Sequence, residues 1–240
     1  MSSSNFKLGL KTEYPVPKLG APFVDFDLIY REEVDPWEQS GTAGDMAPYY
    51  GYSRIKLVRR LAERFNANGS GLEIGCGYGY LTDLLAQKFH MSGVDISPTA
   101  IKRAMHLHPG IEFELGDVRA PDFFPGSYHF VILAQLWWYC LDDVEAVIAS
   151  CLRCLEPNGL LVLSQGFLPS GKTQYGWEIA DGFEGALKLL MGRPQLRLIE
   201  ALYDDTGARC LNDGLIILRK VEHADDDDKP HRRLRSAFRT

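Results

Sequence analysis

The stretch LEIGCGYGY, residues 72–80, carries the most chemically specific spacing in the chain. An apolar run ends in a carboxylate, Glu73, and then breaks into Gly75, Gly77 and Gly79, with Cys76 between the first two. Glycines there let the backbone turn with positive φ and leave no Cβ in the way of a ligand. An amphipathic helix pattern follows from Tyr80 to Phe89. A helix start aims free N–H groups at whatever lies on the loop before it. A dinucleotide site built on such a unit reads G-x-G-x-x-G and turns around a pyrophosphate. This chain reads E-x-G-x-G-x-G, with Tyr80 where the third dinucleotide glycine would fall. A carboxylate two residues before the first glycine repels phosphate and suits a cationic ligand.

Three further places carry side chains with chemistry. Asp95 ends the apolar run Met91 to Val94, where it can accept a pair of ribose hydroxyls or cap the next helix. Asp117 follows the run IEFEL in the sequence Gly116-Asp117-Val118, as a ligand acceptor or a turn residue. The run AQLWWYCLDD, Ala134 to Asp143, follows the next apolar stretch and offers Gln135, Trp137, Trp138 and Tyr139. The histidines fall elsewhere: His90 and His129 open strand-like runs, and His106 and His108 end a helix pattern. Cys151 and Cys154 form a C-x-x-C inside the apolar helix pattern VEAVIASCLRCL and read as core residues.

These positions make sense on an alternation of strands and helices. Strand-like runs end at Ile74 and cover Met91–Val94, Ile111–Leu115, Tyr128–Ala134 and Leu160–Gln165. Ser97 and Pro98 open one intervening helix as N-cap and first residue, and Asp142 with Glu145 forms a capping box for another. Continuously apolar strands separated by helices predict a parallel sheet covered on both faces. After a polar loop from Gly166 to Gly176 comes a helix from about Trp177 to Met191. The runs LRLIEALYD and GLIILRKV are then joined by a link too short for a helical crossover, which predicts an antiparallel hairpin. Ligands of such sheets bind at the C-terminal strand ends, where Gly75, Asp95, Asp117 and Gln135 fall.

Glu73 to Gly79, Asp95, Asp117 and the terminal hairpin together resemble the class I S-adenosylmethionine-dependent methyltransferases. The resemblance implies a doubly wound α/β fold, Rossmann-like and mostly parallel, with seven strands in the order 3-2-1-4-5-7-6 and the last antiparallel. It implies S-adenosylmethionine as cofactor. Glu73 would face its ammonium, Asp95 its ribose with Ile96 alongside, and Asp117 its adenine amino group, with the Val118 backbone N–H on the ring. Gly75, Cys76, Gly77 and Gly79 would contact it by backbone. More narrowly, Asp35-Pro36-Trp37, Arg54 and Gln135-Leu136-Trp137-Trp138-Tyr139 resemble the small-molecule group related to nodulation-factor N-methyltransferase. The chain departs from that group in having Gln135 where an acid is usual. Arg54 could hold the cofactor's carboxylate through its bidentate fork, or could be a surface residue of an amphipathic helix. Trp37, Tyr49, Trp137, Trp138 and Tyr139 are expected to enclose the site, with Trp37, Gln135 and Arg54 against the cofactor. Tyr139 and Gln135 are expected to orient the acceptor.

The expected function is methyl transfer to an N or O atom of a small molecule such as a sugar, oligosaccharide or secondary metabolite. A protein or peptide methyltransferase and a non-catalytic cofactor-binding protein are the competing readings. Residues 1–52 read as an arm and lid, with an extended Pro-containing start and an aromatic-rich stretch after Tyr30. Residues 53–221 read as the methyltransferase domain. Its leading helix runs from about Ser53 to Asn66 and presents Ile55, Leu57, Val58, Leu61, Ala62 and Phe65 on one face. Residues 222–240 read as a charged tail, disordered or added by engineering, since Asp225 to Lys229 look like a protease recognition sequence.

Among 240 residues, 45% are hydrophobic and 24% charged, ordinary values for a globular protein. The net charge of −6 disfavours nucleic acid as partner, because backbone binding needs a concentrated basic surface. No apolar run approaches the ~20 residues of a membrane helix, and the N-terminus lacks a signal-peptide core. Five cysteines at low density suggest reduced thiols and a cytoplasmic protein, a monomer or homodimer. With Gln135 in place of an acid, no carboxylate cluster suggests a metal.

Overall fold

The computed structural model describes residues 25–41, 46–168, 176–205 and 211–221. The expected extended start, the 222–240 tail and Cys210 lie outside the described residues. Seven strands form one sheet: β1 (Ser70–Ile74), β2 (His90–Asp95), β3 (Glu112–Leu115), β4 (Tyr128–Ala134), β5 (Leu155–Phe167), β6 (Leu196–Asp204) and β7 (Asn212–Lys220). Their spatial order is β3-β2-β1-β4-β5-β7-β6, as the resemblance implied. The first five run parallel, and β7 lies antiparallel between β5 and β6. The helices are α1 (Phe26–Glu32), α2 (Ala47–Ala62), α3 (Tyr80–Ala86), α4 (Pro98–Leu107), α5 (Trp137–Cys140), α6 (Val144–Cys154) and α7 (Gly182–Met191).

Alternate residues of the central strands supply two core layers. Val131, Leu133, Leu161, Leu163, Ile216 and Leu218 face Val147, Cys151, Ala186 and Leu190 of α6 and α7. Phe130, Ile132, Leu160, Val162, Leu215 and Ile217 face Leu57 and Leu61 of α2 and Leu81 and Leu85 of α3. Burying both faces of a strand is what makes its sequence continuously apolar, and each such side chain contributes about 1.5–3 kcal/mol. Cys151 and Cys154 are buried free thiols in this core. Burial pushes the Cys151 thiol up because the thiolate would lose its hydration.

Several element limits differ from the sequence expectation. The leading helix begins at Ala47, with Pro48 in its first turn, and buries Tyr49, Tyr50, Ser53, Leu57 and Leu61. Ile55, expected on the core face, is 60% exposed. The buried positions 49, 53, 57 and 61 recur every fourth residue, and Ile55 falls off that stripe. A 3-10 turn over Leu141–Asp143 delays α6, so its N-cap is Asp143 and its side chain makes no cap bond. The Asp142–Glu145 box is therefore not formed, and Glu145 instead pairs with Arg193 of the segment after α7. α7 starts at Gly182 and not near Trp177, because a hydrogen-bonded turn on Gly176 precedes it. β5 already pairs at Leu155, and the register shift before Leu160 absorbs Glu156 to Gly159.

Candidate active site

The loop after β1 turns through Gly75 (φ 74°), Gly77 (φ 56°) and Gly79 (φ 81°). Its N–H groups are largely engaged within the protein. Gly75 and Cys76 both donate to the Val94 carbonyl (2.7 and 3.0 Å), and Gly79 donates to the Cys76 carbonyl (2.9 Å). Gly77 donates to Asp95 Oδ2 at 2.8 Å. A loop whose amides are spent in this way is no phosphate cradle. Asp95 is 6% exposed at the end of β2. Its other oxygen accepts from Ser97 N–H at 2.9 Å. Burial raises its pKa against the pull of these amides.

A cleft of about 790 Å³, open to solvent, runs along the C-terminal ends of β1 to β4. Gly75, Asp95, Ile96, Asp117, Val118 and Gln135 form its floor, and Phe26, Tyr30, Trp37 and Tyr139 line it from other elements. Asp117 is held by Arg119: Nε donates to Oδ1 and Nη2 to Oδ2, each at 2.8 Å. That guanidinium keeps the Asp117 carboxyl below the usual carboxylate range.

A second, polar pocket of about 330 Å³ adjoins the cleft, sharing Gln39, Tyr50, Ala134 and Gln135 with it. Glu73 and Arg54 meet there, away from the floor of the first. Glu73 is 3% exposed and accepts from Thr82 Oγ1 at 2.5 Å. Burial pushes its pKa up to about 7, while Thr82 and Arg54 pull it down. Arg54 lies over the Tyr50 ring, 4.6 Å from the centroid, so it is a lining residue and not a surface one.

The roof comes from α1, which the sequence reading missed. Asp25 caps it, and Asp27 accepts from Ser97 Oγ (2.7 Å) and Thr99 N–H (2.9 Å) at the start of α4. These donors lower the Asp27 pKa. Tyr30 packs on Trp37 at 4.9 Å, and Trp37 Nε1 donates to Tyr139 OH at 3.3 Å. The signal for this helix was present in Asp25 followed by Phe26, Ile29 and Tyr30 at helical spacing. Gln39 and Arg119 were also not singled out, since nothing local marks them as lining residues.

Other expected site residues lie elsewhere. Trp137 is fully buried in the core, and Trp138 donates to the Gly166 carbonyl at 3.3 Å and packs edge-on against Phe167. Neither lines the cleft: the Trp138 indole lies against β5, and Trp137 belongs to the buried core cluster. Tyr49 is fully buried behind Gln135. Cys76 packs with Ile101, Ala104 and Phe113 on the far side of the loop, where burial raises its thiol. A Cβ on Gly79 would meet Phe113, so this glycine serves helix packing.

Gln135 has φ 56° and every polar position taken. Nε2 donates to Tyr49 OH (2.7 Å) and the Ser164 carbonyl (3.4 Å). Oε1 accepts from Gly166 N–H (2.9 Å) and Gln165 Nε2 (3.1 Å). With both protons and both lone pairs used, its amide has none left for an acceptor.

The cleft and its annex carry three carboxylates, Glu73, Asp95 and Asp117, against two guanidiniums, Arg54 and Arg119. That balance, with the engaged loop amides, fits a cationic, phosphate-free nucleoside and not a dinucleotide. Sheet order, glycine loop and an acid after each of β2 and β3 define a class I S-adenosylmethionine-dependent methyltransferase. Residues 72–159 match the family model described as a methyltransferase domain, and the chain is an enzyme of this class with S-adenosylmethionine as its cofactor.

Among curated proteins, the chain is similar to phthiotriol/phenolphthiotriol dimycocerosates methyltransferase of Mycobacterium leprae, at 29% identity over 74% of this chain and 67% of that one. It is also similar to carboxy-S-adenosyl-L-methionine synthase of Chromohalobacter salexigens, at 31% identity over 53% of this chain and 52% of that one. It thus spans two thirds of the first relative's length and about half of the second's. The crystal structure of N-methyltransferase NodS from Bradyrhizobium japonicum with S-adenosyl-L-homocysteine gives a TM-score of 0.65 at 23% identity, covering 82% of this chain and 98% of that one. That likeness is one of fold.

Proposed function

We propose that the chain transfers a methyl group from S-adenosylmethionine to an N or O atom of a small molecule, in the class of sugars, oligosaccharides or secondary metabolites. The observation that carries this reading is the convergence of Gly75, Asp95 and Asp117 on one cleft roofed by aromatic side chains. The names of the relatives, a phthiotriol/phenolphthiotriol dimycocerosates methyltransferase and an N-methyltransferase, support a small acceptor.

When bound, S-adenosylmethionine supplies an electrophilic methyl on a sulfonium. Asp95 would hold the ribose hydroxyls, with Ile96 beside it. Asp117 accepts the adenine amino group, and Val118 N–H meets the ring. Arg54 takes the carboxylate and Glu73 the ammonium of the amino-acid end. Gly75 would contact the cofactor through its backbone, while its missing side chain leaves room for Leu136. Residues 26–41 act as a lid, and Trp37 with Tyr139 excludes water from the methyl. Charge disperses as a neutral nucleophile attacks a sulfonium, so an enclosed aromatic site favours the step. Tyr139 orients the acceptor through its hydroxyl. Gln135 contributes by fixing the ends of β4 and β5. A neutral amine attacks with its own lone pair, so no strong base is required.

No helix among the described residues is long and apolar enough to cross a membrane. Buried free thiols at Cys76, Cys140, Cys151 and Cys154 support a reducing, cytoplasmic setting, and the enzyme would act there as a monomer or homodimer without nucleic acid.

Calorimetry with S-adenosylhomocysteine and NAD tests the cofactor assignment: the first binds and the second does not. Asp95→Ala lowers affinity for S-adenosylhomocysteine by about ten- to a hundredfold, the worth of hydrogen bonds to a charged group. Unchanged affinity removes its ribose role.

A further inference from the structure

We infer that Arg119 is a specificity-determining residue for the purine base, presenting the Asp117 carboxylate in one fixed orientation so that the cleft selects a 6-amino over a 6-oxo purine. The inference rests on the reading of Asp117 as the acceptor for the adenine amino group, and goes beyond it by assigning the selectivity to its neighbour.

Asp117 Oδ1 accepts twice from Arg119, from the backbone N–H at 3.0 Å and from Nε at 2.8 Å. Oδ2 accepts once, from Nη2 at 2.8 Å. A carboxylate oxygen has two lone pairs, so Oδ1 is saturated and one position on Oδ2 remains. The planar guanidinium fork fixes the carboxylate plane as a single-point cation could not. Asp117 is 37% exposed in its side chain and Arg119 19%, so the less exposed partner holds the more exposed one at the cleft wall. The same pairing keeps the carboxyl ionised, hence acceptor-only. An amino group donates to such an oxygen. A 6-oxo group presents a lone pair to it and is repelled, and a site built for a donor rejects the analogue lacking one.

The test compares S-adenosylhomocysteine with its deaminated analogue, S-inosylhomocysteine, by calorimetry on the full chain. The expected wild-type preference for the adenosine form is at least about tenfold. Arg119→Met keeps the length of the stem but removes the fork. It lowers the preference to under about threefold, chiefly by weakening the adenosine form. Arg119→Lys keeps the charge without the fork and stays close to the Met variant; full retention in Lys overturns the role of the fork. Tighter adenosine binding by Arg119→Met also overturns the inference, since Arg119 would then compete for the carboxylate. Asp117→Asn separates the two readings. If it keeps the wild-type preference, the adenine role of Asp117 has failed. If it loses the preference while Arg119→Met keeps it, only the inference about Arg119 has failed. Should the Met variant not fold, the Lys variant carries the same comparison.

Discussion

Glu73 shows how one residue's position in the sheet decides its chemistry. It belongs to β1, is 3% exposed, and is harder to ionise folded than unfolded, its pKa rising from 4.5 to about 7. A carboxyl raised in this way favours the folded state while it stays protonated. The benefit is complete below pH 4.5 and is lost as pH rises through about 7. The apoprotein should therefore lose about 3 kcal/mol of stability across that window from this group. Glu73→Gln should flatten the slope, as urea unfolding between pH 4.5 and 7.5 would show; an unaltered slope would falsify the assignment. Glu73 was legible as an acid before a glycine loop. That it shares a separate polar pocket with Arg54 was not, because Arg54 belongs to another element and comes near only through the seating of α2 on the sheet.

At the scale of elements, α1 and the glycine loop are mutually dependent. A Cβ on Gly77 would lie 2.4 Å from Gln39 Oε1 and 2.6 Å from Tyr30 OH. Its φ of 56° also penalises any L side chain by about 1–2 kcal/mol. Gly77→Ala should displace α1 and its following turn from the loop, with hydrogen exchange of residues 26–32 accelerating more than that of β1. Equal acceleration in both would indicate general destabilisation instead. Trp37 gives the complementary prediction, since it joins α1 to α5 through Tyr30 and Tyr139. Trp37→Ala should weaken cofactor binding up to about tenfold and lower turnover. A lower melting temperature with normal binding would identify plain packing. α1 escaped the sequence reading because seven residues, with only Phe26, Ile29 and Tyr30 in phase behind Asp25, give a weak periodic signal. Its stability comes from Asp27 on α4 and from aromatic contacts that no local pattern contains.

Across the whole molecule, a buried polar connection ties the hairpin to α2 and to the cleft. Asp213, fully buried at the start of β7, pairs with Lys56 and accepts from Tyr49 OH at 3.2 Å. Tyr49 in turn receives Gln135 Nε2 at 2.7 Å, and Gln135 lines both pockets. Removing one partner of a buried pair leaves the other without compensation. Asp213→Ala should cost about 3–5 kcal/mol in denaturant unfolding. A loss below about 1 kcal/mol would mean that Lys56 reaches water without penalty.

The sequence by itself determined where the strands of the sheet lie, the strand–loop–helix unit at Gly75 and the acids at Asp95 and Asp117. All of these are local: a run of apolar residues, a break and a polar residue at the strand end. Only the tertiary structure decided which aromatics meet the cleft, sending Trp137 and Trp138 into the core and Trp37 and Tyr139 to the cleft wall. It likewise saturated Gln135 with protein partners and set Arg119 on Asp117. The reason is that a side chain's direction depends on which elements it can pack against, and those neighbours are supplied by the crossing of distant segments over one sheet.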